Sequence, residues 1–80
     1  MNIQLIQGEF SANDAIGIIN EMIGIKIKYH ENKIQKLSNE EDIKAREEKI
    51  KRLQQERFEL RNELLGRKGT VHLDSVIHIG

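Results

Sequence analysis

The chain has 80 residues, no cysteine, and thirteen basic residues against thirteen acidic ones. That size makes one domain near the lower limit for a self-sufficient core, and no disulfide can brace it, so tight helix packing or oligomerisation must. A composition of 38% hydrophobic and 32% charged residues is that of long amphipathic helices. Zero net charge gives no general electrostatic case for nucleic acid or an anionic membrane, and no apolar run reaches the roughly 20 residues of a membrane span.

In chain order, Asn2–Gln7 alternates: Ile3 and Leu5 fall on one face and Gln4 on the other, which predicts a short β-strand. Met1 to Gln7 carry neither a basic leader nor the apolar stretch of a signal peptide, so a cytoplasmic location is expected. Gly8 punctuates. Ser11 followed by Asp14 reads as a helix start, with the serine hydroxyl accepting a free backbone N–H and Phe10 folding back as a staple. A helix over Ala12–Leu37 follows.

Two apolar stripes run along that helix. One is Ile16, Ile19, Ile23, Ile27, Ile34 and Leu37, with His30 at the same spacing. The other is Ala15, Ile18, Met22, Ile25 and Tyr29. The segment Ile23, Ile25, Ile27 and Tyr29 also alternates as a strand would, and isoleucine and Gly24 lower helix propensity there. No turn residues set this segment apart from its neighbours, so the helical reading is preferred.

The run Ser38-Asn39-Glu40-Glu41-Asp42 breaks the phase. Ser38 and Glu41 form a second capping box. Continuing the first stripe would need apolar residues where Glu41, Lys44 and Glu48 stand, whereas a new stripe starts at Ile43 and runs through Ile50, Leu53, Leu60 and Leu64. A turn and a second helix, Glu40–Leu65, are predicted. If the two helices pack antiparallel, facing residues have numbers summing to about 77, which sets Ile34 against Ile43, Ile27 against Ile50, Ile23 against Leu53, Ile16 against Leu60, His30 against Glu47 and Asn20 against Arg57. Apolar faces apolar and polar faces polar.

Gly66 and Gly69 flank Arg67-Lys68 and stop the second helix, with basic residues near its negative end. Thr70–Ile79 then alternates, with Val71, Leu73, Ile77 and Ile79 on one face and His72, Asp74, Val76 and His78 on the other. Both terminal strands leave the open end of the hairpin and can pair with each other. The predicted fold is a single mainly α (α+β) domain, a coiled-coil-like antiparallel helical hairpin flanked by N- and C-terminal β-strands.

The second stripe is surplus to the hairpin. Either the strands cover it, or Ala15, Ile18, Met22, Ile25 and Tyr29 form a partner interface, through which two hairpins would make a twofold four-helix bundle. Gly17 and Gly24, one heptad apart, either admit a close neighbour or are tolerated on the surface.

The chemical hints are weak. His72, Asp74 and His78 share a strand face but lack metal-ligand spacing, and His30 opposite Glu47 reads as a seam pair. Arg46 and Arg57 hold seam-like positions, as the inward arginines of a chorismate-mutase-like bundle enzyme do, but their stems can equally cover the seam. No acid, base and arginine converge, and no phosphate-cradling glycine loop or nucleophile elbow occurs. The expectation is a homodimer with no catalytic site, cofactor, metal, membrane or small-molecule substrate, acting as a protein-interaction or structural module. The alternative is a nucleic-acid-binding regulator using Lys44, Lys51, Arg52 and Arg61 on the second helix.

The stretch Gly8-Glu9-Phe10-Ser11, with Asp14-Ala15 and Ile25-Lys26-Ile27-Lys28-Tyr29-His30, resembles a group of small uncharacterised bacterial proteins that open with a Gly-Glu-Phe-Ser/Thr turn into a helix. The resemblance covers the first half of the chain. It implies a bacterial origin and no particular activity.

Overall fold

A computed structural model describes all residues, Met1–Gly80. Strand β1 (Asn2–Ser11) leads into helix α1 (Ala12–Ile34), a turn, helix α2 (Glu40–Leu64) and strand β2 (Thr70–His78). The two helices form the antiparallel hairpin, and β1 pairs antiparallel with β2 in a two-stranded ribbon. Neither helix is long and apolar enough to cross a membrane.

The start of α1 follows the serine-cap rule, the Ser11 hydroxyl accepting from the Asp14 N–H at 3.1 Å. Residues 23–29 are helical. The start of α2 needs a correction: the cap is Asn39, whose Oδ1 accepts from the Glu41 N–H at 2.8 Å, and Ser38 stays outside. Both residues can cap, and the chain uses the later one; α1 ends at Ile34 and Gln35 to Asn39 make the connection.

Strand β1 is longer than the alternation implied. It runs through Gly8, Glu9 and Phe10 to Ser11, so these residues are ladder and not turn. Gly8 pairs with Leu73 at a φ of 145°, a conformation that side chains disfavour, and so it continues the strand where another residue would break it. The register shifts between Gln4 and Ile6, leaving Leu5 as a bulge. Because Ile3 pairs with Ile77 and Ile6 with Ser75, the bulge brings Ile3 and Ile6 onto one face, with Phe10, Val71 and Leu73. Leu5 does not share that face by simple alternation with Ile3. The amide nitrogen of Gln4 braces the bulge, donating to the Ile6 carbonyl (2.8 Å), Asp74 Oδ1 (2.8 Å) and the Ser75 carbonyl (3.1 Å).

Helix α1 is central: it lies against α2, β1 and β2, whereas no Cα of α2 comes within 8 Å of one in the ribbon. Its first stripe faces α2, with Ile27 and Leu53 buried and Ile16, Ile23, Ile34, Ile43, Ile50 and Leu60 half-buried along the seam. The molecule measures 48 × 33 × 13 Å, and only Ala15, Ile27, Leu53 and Leu64 are buried. The thinnest dimension, 13 Å, is well under half of either of the others, so the elements lie side by side in a flat arrangement.

Candidate partner interface

The second stripe of α1 flanks the stripe that faces α2, and the structure divides it. Ala15 is 0% exposed, so it belongs to the chain's own core. Ile18 and Met22 are half-buried, in line with half-buried Ile6, Phe10, Val71 and Leu73 on the apolar ribbon face. Further along, Ile25 is 70% and Tyr29 55% exposed. The same ribbon face opens in parallel toward its outer end, where Ile3 is 38% and Ile77 42% exposed. Ile25 and Tyr29 on α1 and Ile3 and Ile77 on the ribbon are thus apolar side chains that the chain itself leaves exposed.

Of the two glycines, Gly24 has a tight neighbour: a Cβ there would stand 3.1 Å from Nη2 of Arg57. That guanidinium donates to the Asn20 carbonyl at 3.1 Å, matching the expected Asn20–Arg57 pairing. Gly17 faces open space. Gly24 thus admits a close side chain of α2, and Gly17 does not.

His30 does not pair with Glu47. Arg46, one residue earlier on α2, donates from its guanidinium to His30 Nδ1 at 2.8 Å, and Glu47 is exposed. Partial desolvation, then the charges of Arg46, Lys49 and Lys26, hold the His30 pKa below its ordinary value. Arg46 and Arg57 are therefore both engaged within the hairpin and do not converge on a common ligand position. Tyr29 lies edge-on to the His30 ring, with Lys33 Nζ 5.6 Å and the Arg46 guanidinium carbon 5.9 Å from its ring centre.

On the ribbon's polar face each sequence-flagged group has its own cross-strand partner. His72 contacts Glu9 at 3.1 Å, His78 contacts Asn2 at 2.9 Å, and Asp74 accepts from Gln4. No three His, Asp or Glu side chains gather as a metal site.

The basic residues flagged on α2 are all exposed but scattered. Lys44 and Lys51 share its outer side, while Arg52 and Arg61 fall about 180° apart at 3.6 residues per turn. A different basic cluster, which no single-helix pattern could reveal, forms across the seam, where Lys26 and His30 of α1 meet Lys49 and Arg52 of α2 around a groove. No protein-family model, curated protein or solved structure matches the chain.

Proposed function

We propose that this chain works as a homodimer, a protein-interaction or structural module whose partner surface is the exposed apolar side chains Ile25 and Tyr29 of α1 with Ile3 and Ile77 of the ribbon. The supporting observation is surface area. The chain exposes 6353 Å², roughly 1,400 Å² more than the about 5,000 Å² typical of a folded monomer of this mass. Its radius of gyration, 15.3 Å, likewise exceeds the about 12 Å of a compact domain of this length. A stable dimer removes about 800 Å² from each partner, so the excess is ample for one. Stable domains stack two layers, and a second copy supplies the missing one.

In this reading two copies meet around a twofold axis at Ile25 and Tyr29, their hairpins form a four-helix bundle, and each ribbon's outer end is covered by the partner. Light scattering over a concentration series tests it, on the native chain and on Ile25→Glu/Tyr29→Glu. Both residues are exposed within one chain, so the variant attacks the interface and leaves the monomer fold intact. The expected result is a dimer that the variant splits into folded monomers. A native chain that stays monomeric at all concentrations overturns the proposal.

A further inference from the structure

We propose that the groove across the mid-hairpin seam binds a phosphate-bearing anion through Lys26, the Nε2–H of His30, Lys49 and Arg52. The groove has a volume of about 470 Å³, within the range of small-ligand sites, and Leu53 and Glu56 complete its lining. A second hollow, toward the turn, shares Lys49 and adds Arg46.

Three observations carry the assignment. The first is the tautomer of His30. A guanidinium can only donate, so the Nδ1 it contacts at 2.8 Å must accept, and the neutral ring then carries its proton on Nε2. His30 thus adds a donor to those of Lys26, Lys49 and Arg52. The second is that these cations are unpaired: the chain's one Lys or Arg ion pair is Arg67–Glu63, at the far end of α2 and just beyond it. Even Glu56, one turn beyond Arg52, makes no ion pair with it. The third is local charge. In a chain with thirteen charges of each sign, three cations and one carboxylate line this groove. A surface that offers donors and positive charge, with an apolar patch at Leu53, suits a phosphate ester, whose oxygens accept and whose organic part needs a dry surface.

The shared chemistry is the phosphate group, carried either by a free phosphorylated molecule or by a nucleic-acid strand. The test titrates the full chain at about 0.15 M salt, where the screening length is about 8 Å, with inorganic pyrophosphate, a nucleoside monophosphate and a short single-stranded oligonucleotide, following the His30 ring and the Lys26, Lys49 and Leu53 amides by NMR. Two charge-matched variants separate a site from general attraction. Lys49→Gln/Arg52→Gln removes two groove cations, and Lys44→Gln/Lys51→Gln removes two from the outer side of α2. The expected result is shifts confined to the groove and an affinity loss above about tenfold in the first variant. The second should lose no more than about twofold, because its charges are remote and screened. Binding of the small probes identifies a free phosphorylated ligand, and binding of the oligonucleotide alone identifies a strand; either supports the groove. Equal losses in the two variants, or no shift with any probe, overturn it.

Discussion

His30 keeps its place in the seam by accepting from Arg46, and protonation would abolish that acceptor while adding a charge beside Arg46 and Lys49 of α2 and Lys26 of α1. Its folded pKa lies below the ordinary value of about 6.5, so the unfolded chain binds this proton more readily. The contribution to stability is therefore full above that value and is lost as pH falls through the folded pKa. Denaturant melts between about pH 7.5 and 5 should show the native midpoint falling with acid, and His30→Gln should flatten part of that slope. The two proteins differ at His30 alone, so the difference between their slopes isolates it. A parallel slope in the two would remove His30 from the account. The glycines make an opposing pair of cases. Gly17 faces open space within a helix, so Gly17→Ala should stabilise by up to about 1 kcal/mol. Gly8 holds a φ of 145° inside a ladder, so Gly8→Ala should cost about 1–3 kcal/mol. Thermal melts that rank the two variants the other way would show that the local backbone does not decide the outcome.

The hairpin is the element that pattern reveals best, because two stripes that lose phase at a cap cannot be one helix, and the Asn20–Arg57 contact confirms the register. Its partner for His30 was off by a single position, Arg46 in place of Glu47, since a half-turn of side-chain reach is invisible to numbering alone. The ribbon was harder to read. Gly8 resembles a stop, and only its pairing with Leu73 shows a strand passing through it. The bulge at Leu5 has no residue signature, yet it decides which isoleucines face α1. Gln4 is the side chain that holds it, with one amide nitrogen bridging two carbonyls and Asp74. Gln4→Ala should therefore destabilise the ribbon by about 1 kcal/mol. Amide exchange should accelerate at the outer ladder, Asn2 to Gln4 and Val76 to His78, and not in the helices, which share no ladder with it. Uniform acceleration across the chain would mean that the ribbon and hairpin unfold as one unit.

At the scale of the whole molecule, the surplus apolar stripe was legible in α1, but its division was not. Which half is covered depends on where the ribbon crosses the helix, and helical spacing carries no such information. Ala15 thereby passes from expected interface to core, while Ile3 and Ile77 join Ile25 and Tyr29 as exposed apolar surface. A layer 13 Å thick with four buried residues has little with which to offset the chain entropy of folding. If the second layer is another copy, unfolding of the native chain includes dissociation, and its stability depends on protein concentration. A tenfold rise in concentration then adds about 1.4 kcal/mol per dimer. Spread over the unfolding entropy of two such chains, that raises the melting midpoint by about 4 °C. Ile25→Glu/Tyr29→Glu should melt lower and at a midpoint that no longer moves with concentration. Should the native midpoint also stay fixed across a hundredfold range, the chain folds as a monomer, and Ile25 and Tyr29 do not form the interface of a stable homodimer.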